Sequence, residues 1–337
     1  MTTFGALPVE LHRLIAKRCG DIGHGVLTNF SLLNRYFQSL ALPLLTSSAV
    51  LDGLRNEDNK LQLFTHQFAP LHRTELVTLS LALGRSQIPA HYSLDDGLDE
   101  IYANIISLLP LLKTVHLTVC SGPAKDALEE GDFSLTLKAM GRLKHLETLT
   151  ICQDTDDCSV TSSLFVSHLL FECVPRFQSL KKLKLDRMDL VLPSTPAAQT
   201  FPSIQQLALQ SVKILKNPSS NPRGDPLAEL ITFFSPSLES LNIKDIVLEM
   251  PPHSFPLLAP RLNRLELSFA PNPSYDPPVP TSMDNNYLEQ CYRQILENFS
   301  GSSSLQSICI PEPIGLAQLQ LLQNRGGLPS VYQVNQQ

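Results

Sequence analysis

At 337 residues the chain exceeds the usual limit of a single hydrophobic core, so it forms either two domains or one elongated repeat array with a cap. Charged residues make up 17% and hydrophobic ones 43%, which excludes global disorder, and a net charge of -6 leaves no basic footprint for nucleic acid. No stretch of about 18 uncharged apolar residues is present to cross a membrane, and no basic region with an apolar run and cleavage site opens the chain, so a cytoplasmic or nuclear location is expected.

The first fifty residues read as a separate helical unit. Leu7-Pro8-Val9-Glu10-Leu11 opens a helix in which Leu11, Leu14 and Ile15 share a face, with Pro8 suited to the first turn. Gly20, Gly23 and Gly25 are expected to break it. Val26, Leu27, Phe30, Leu32, Leu33, Phe37, Leu40 and Leu44 then form a second helical stretch ending near Pro43. So small a bundle buries little of its own apolar surface and needs either a partner or the rest of the chain against it.

From residue 76 onward an L-x-x-L-x-L frame recurs eight times, starting at Leu76, Leu112, Leu146, Leu180, Ile204, Leu238, Leu262 and Leu305. The copies at Leu112, Leu146, Leu180, Leu238 and Leu262 have no apolar residue at any x position, where chance gives about one such copy. A breaker usually precedes the frame: Pro110, Pro175, Pro202, Pro236, Pro260 or the Gly301 to Ser304 run. Between frames lie helical periods, such as Leu98/Ile101/Ile105/Leu108, Leu227/Leu230/Ile231/Phe234 and Leu288/Cys291/Ile295. The alternation predicts an α/β solenoid of β-α units, a curved parallel sheet with outer helices. Residues flanking the middle Leu point to the concave side. They are Thr78/Ser80, Thr114/His116, Thr148/Thr150, Lys182/Lys184, Gln206/Ala208, Ser240/Asn242, Arg264/Glu266 and Ser307/Cys309, a mostly small and neutral face with a basic spot at the two lysines.

Segments 216–226 and 271–280 are rich in Pro, Ser and Asn and read as excursions on one rim, with Tyr275 an alternative partner anchor. Residues 326–337 read as a flexible tail. The seven cysteines, with no C-x-x-C pair, read as reduced core residues. The acidic run between Cys152 and Cys158 lacks the glycine and terminal glutamate of a calcium loop, and His66 and His72 read as surface or satisfied histidines, so no metal site is expected. Nucleophile-elbow, phosphate-loop and zinc-protease motifs are all absent, so neither catalysis nor a cofactor is expected.

The run from Leu7-Pro8-Val9-Glu10-Leu11-His12-Arg13-Leu14-Ile15 through Leu32-Leu33-Asn34-Arg35-Tyr36-Phe37 to Leu40-Ala41-Leu42-Pro43-Leu44-Leu45 resembles an F-box, over residues 4–47. The resemblance implies docking on a Skp-type adaptor and, through it, a cullin-RING ubiquitin ligase. Leu7, Pro8, Leu11, Ile15, Leu32, Leu33 and Phe37 would be the docking residues. The array, residues 48–325, resembles a degenerate leucine-rich-repeat solenoid. In that family an Asn follows three residues past the frame; here the positions hold Gly84, Cys120, Asp154, Met188, Val212, Ile246, Ala270 and Pro313, so irregular loops and uneven curvature are expected. Thr114, His116, Thr148, Thr150, Lys182, Lys184, Gln206, Ser240, Asn242, Arg264 and Glu266 would face an unknown target protein. The expectation is thus a substrate receptor of a ubiquitin ligase, with no nucleic-acid or membrane partner. A non-ligase repeat scaffold capped by the N-terminal helices is the alternative, and a receptor holding a phosphorylated compound at the lysines a third reading.

Overall fold

The computed structural model describes residues 8–22, 24–51, 58–84, 97–120, 133–153, 165–192, 201, 203–215, 226–246, 259–269, 281–299, 304–310 and 313–324. Leu7, Gly23, the acidic run Asp154 to Asp157 with Cys158, the Pro-rich segments 216–225 and 271–280 with Tyr275, and the tail lie outside them.

Three helices open the chain: α1 (Val9–Ile22), α2 (His24–Ser31) and α3 (Arg35–Leu45). Gly20 and Gly25 do not break the chain as expected; they lie inside α1 and α2. One glycine costs a helix only about 1 kcal/mol, too little to break it by itself. The expected second stretch is two helices, because Asn34 is fully extended and its Oδ1 accepts the Phe37 N–H at 3.0 Å, capping α3 afresh. α3 ends at Leu45, just past Pro43, as expected. Thr46 closes the last turn, its N–H donating to the Leu42 carbonyl at 2.9 Å. Ala16, Leu27, Phe30, Phe37 and Ala41 form a small core of their own.

Nine strands follow in one parallel sheet whose spatial order is the chain order. They are β1 (Ser48–Leu51), β2 (Thr78–Gly84), β3 (Thr114–Cys120), β4 (Thr148–Gln153), β5 (Lys182–Val191), β6 (Gln206–Leu215), β7 (Ser240–Lys244), β8 (Arg264–Ser268) and β9 (Ser307–Cys309). Each of the eight frames runs into a strand, its first residue lying just ahead of it, and the middle residues Leu79, Val115, Leu149, Leu183, Leu207, Leu241, Leu265 and Ile308 stand in one continuous register. A ninth unit at β1 was hidden, since its frame reads Thr46-x-x-Ala49-x-Leu51. One carbonyl per unit locks the next unit in place: Ser47, Val77, Lys113, Glu147, Lys181, Gln205, Glu239 and Asn263 each accept two consecutive N–H groups from the following unit at 2.8–3.1 Å.

Among the described residues the helices lie on one face of this sheet. In chain order they are α4 (Asp58–Leu63) and α5 (Ala69–His72), joined by a π turn at Phe64–Phe68, then α6 (Leu98–Leu108) and α7 (Ser134–Gly141). The helical run 165–176, here α8, passes from α through π at Leu169–Cys173 to 3-10 geometry at Val174–Arg176. Then come α9 (Pro226–Phe234), α10 (Thr281–Asn298) and α11 (Pro313–Asn324). Their apolar stripes and the inward strand residues make one continuous core, while the alternate strand residues stay partly open. Phe171, Phe201, Phe233 and Phe234 tie α8, the approach to β6 and α9 together, with ring centroids 4.5–6.4 Å apart.

Where the regular repeat would carry Asn, the chain turns differently. Arg187, Ser211 and Asp245 all adopt left-handed backbone (φ 51–52°), at equivalent positions of three adjacent units. The kink inserts one residue into the alternation, so Met188, Val212 and Ile246 return to the buried side after Leu185, Leu209 and Ile243. At these three units apolar burial stands where the regular repeat carries its Asn.

Candidate functional site

Two surfaces stand out, one on the N-terminal helices and one on the open face of the sheet. An amphipathic helix normally turns its large apolar residues inward, but α1 does the reverse. His12 and Ala16 are buried, whereas Leu11 is 43% and Leu14 51% exposed. At the α2–α3 junction Leu32 and Leu33 are 76% and 66% exposed. Among the described residues, nine of the sixteen exposed large apolar or tyrosine side chains fall between Val9 and Leu42. Covering one such leucine fully with a partner contributes on the order of 1.5–3 kcal/mol.

The expected docking residues divide accordingly. Pro8, Leu11, Leu32 and Leu33 are exposed, Ile15 is half-buried against the small core, and Leu7 lies outside the described residues. Phe37 is placed differently from the expectation: it is buried in the helical core against Phe30, at 4.8 Å between centroids, and so shapes the surface from beneath. Sequence reasoning missed His12, whose Nδ1 shares a 2.9 Å hydrogen bond with the Tyr36 hydroxyl and whose ring meets Tyr36 and Phe37 edge-on. This contact joins α1 to α3 beside Leu11 and Leu33. Its signal in the sequence is only a histidine amid apolar residues.

The junction to the sheet is polar. The Thr46 hydroxyl donates to Glu75 Oε2 at 2.8 Å, and His72 Nδ1 lies 2.9 Å from the same oxygen. Those two hydrogen bonds, His72 first, hold the Glu75 carboxyl below its ordinary range. His72 is thus a satisfied histidine; His66 is exposed.

On the open face the register aligns the expected residues in two rows. Thr78, Thr114, Thr148, Lys182, Gln206, Ser240, Arg264 and Ser307 form one; Ser80, His116, Thr150, Lys184, Ala208, Asn242, Glu266 and Cys309 form the other. A third row, not foreseen, runs through Thr118, Cys152, Asp186, Gln210, Lys244 and Ser268. Strands β2 to β4 offer hydroxyls and His116, and the charge lies on β5 to β8. Lys184 pairs with Asp186 at 3.2 Å and Arg264 with Glu266 at 3.5 Å. Burial, and secondly Lys184, lowers the His116 pKa. Cys152 and Cys309 stand on this face rather than in the core, with the Arg187 guanidinium 3.0 Å from the Cys152 sulfur. Cys173 and Cys291 are buried thiols, as expected.

Among the described residues no cluster of three metal-ligating side chains occurs, and no helix is long and apolar enough to cross a membrane. Fold and surfaces together define an α/β protein of stacked strand-and-helix units carrying an apolar helical appendage. The chain matches no protein-family model and no curated protein sequence.

Proposed function

We propose that this protein is the substrate-recognition subunit of a cullin-RING ubiquitin ligase, itself without catalysis. Residues 4–47 act as an F-box that docks on a Skp-type adaptor, and residues 48–325 act as a degenerate leucine-rich-repeat solenoid that holds a target protein on its open strand face. Acceleration of ubiquitin transfer then comes from proximity, since the scaffold keeps a target lysine near the conjugating enzyme. The observation that carries this reading is the outward turn of Leu11, Leu14, Leu32 and Leu33 on a helical unit with its own separate core. Such an apolar surface marks a place where another protein sits. Co-purification of the full chain with the adaptor tests it: Leu11→Asp and Leu33→Asp should each abolish the complex while circular dichroism stays unchanged, and retention of the complex by both variants rejects the docking role.

The direct passage from α3 into β1, and the Thr46–Glu75 bond across it, favour a second reading in which the helices cap the first strand of a non-ligase scaffold.

A further inference from the structure

On the helical side of the molecule, away from both surfaces, α7 and α8 leave a cleft of about 540 Å³ between them. This is the size of a small-molecule site. Leu137 and Cys173, both nearly buried, line its floor, and burial pushes the Cys173 thiol up, so the floor is neutral and apolar. The rim is cationic. Lys138 on α7 and Arg142 at its C-cap, four residues on, line the cleft from one side, and His168 and Arg176 of α8 from the other. Among the described residues no carboxylate lines it. Glu172 lies on the adjoining turn, where its charge reaches Cys173, and Glu100 on α6 lines the neighbouring groove, which Lys138 and Arg142 also border. Among the described residues Lys138, Arg142 and Arg176 have no ion-pair partner, although the chain as a whole carries a charge of -6.

Three exposed cations bordering one cleft make its local field positive and favour an anion among them. Two guanidinium groups and an ammonium match the charge and the several acceptor oxygens of a phosphate better than those of a single carboxylate. We propose that the cleft between α7 and α8 binds a small organic phosphate monoester, its phosphate among Lys138, Arg142 and Arg176 and its apolar part on Leu137 and Cys173. The site is independent of the adaptor surface and of the open strand face.

Isothermal titration of the full chain with 1-naphthyl phosphate tests this, with 1-naphthol and inorganic phosphate as the two halves of the ligand. The ester should bind, with each half at least roughly ten-fold weaker, and Arg142→Gln and Arg176→Gln should each weaken it roughly ten-fold, as expected for loss of a charge-assisted bond. Both side chains are exposed, so the urea midpoint should not move, and Lys138→Gln provides a third variant should either one misfold. Lys182→Gln, on the open face, should leave affinity unchanged. The proposal is overturned by absence of binding at millimolar ester, by naphthol or free phosphate binding as tightly as the ester, or by affinity that follows Lys182 instead of the arginines. A hexaglutamate peptide that displaces the ester at lower concentration also overturns it, in favour of an acidic protein partner.

Discussion

Asp99 closes the start of a helix to which it does not belong. The residue that opens α7, Phe133, is turned into left-handed backbone with its ring in the core, so it offers no cap. Asp99, in the first turn of α6, reaches across instead and accepts from the Leu135 and Thr136 N–H groups at 3.0 and 2.7 Å and from the Thr136 hydroxyl at 2.6 Å. A carboxylate at a helix N-terminus also meets the positive end of the helix dipole. Asp99→Ala should lower stability by about 1–2 kcal/mol in urea titration, with Asp99→Asn intermediate, because the amide keeps an acceptor but loses the charge. His116 gives a second, pH-dependent expectation. Its folded pKa is lowered, mainly by burial and then by Lys184, so the unfolded chain binds a proton that the folded chain resists. Above the ordinary imidazole value neither state is protonated, and the site contributes no pH dependence. Below it, stability falls with acid until the folded pKa is passed. NMR titration should find the His116 midpoint below that of a free histidine, and Lys184→Gln should raise it only part of the way, since burial remains. His116→Gln should flatten the acid side of the stability profile.

The strand frame was legible from apolar spacing together with polar x positions and upstream breakers, because a parallel strand buried on one face must place apolar residues at every second position. What broke legibility is local. Thr46 and Ala49 hide the first unit, and the kinks at Arg187, Ser211 and Asp245 carry no glycine to announce them. Left-handed backbone costs a non-glycine residue roughly 1–2 kcal/mol, more for a β-branched one, and the burial of Met188, Val212 and Ile246 that it permits offsets the cost. Ser211→Gly should therefore be neutral to stabilising by up to about 1 kcal/mol, and Ser211→Val destabilising by about 1–2 kcal/mol or more; thermal melts would check the opposite signs. The candidate docking surface was legible only in part for a related reason. Helical periodicity identifies an apolar stripe on α1 but not the side it faces, and here the interior is built on His12 and Ala16, with Leu11 and Leu14 outside. Phe37 was expected on the docking surface only because the F-box resemblance carries a docking position onto it. Its ring fills the space beside Phe30, so Phe37→Ala should unfold the helical unit, at about 3–5 kcal/mol, whereas Leu33→Asp should leave it folded.

At the scale of the whole molecule the question is whether the helices serve the array or a partner. The two hydrophobic cores share no residue: Ala16, Leu27, Phe30, Phe37 and Ala41 pack with one another, and the large core begins at Leu51. What crosses the junction is polar and small, chiefly Thr46 to Glu75 and the Ser47 carbonyl to Val77 and Thr78. Both lie on the array side of a cut made before Leu44. A chain starting at Leu44 should therefore retain the nine-strand sheet and lose no more than about 1–2 kcal/mol, the worth of a few half-buried contacts of Leu44 and Leu45 with the helices. Hydrogen exchange in β2 to β8 should stay as slow as in the full chain. A terminal cap behaves differently, because removing it exposes the apolar edge of the first unit and the array frays inward from that end. Protection lost first in β1 and β2, with aggregation, would assign the helices to capping; an intact sheet that no longer retains the Skp-type adaptor would assign them to docking.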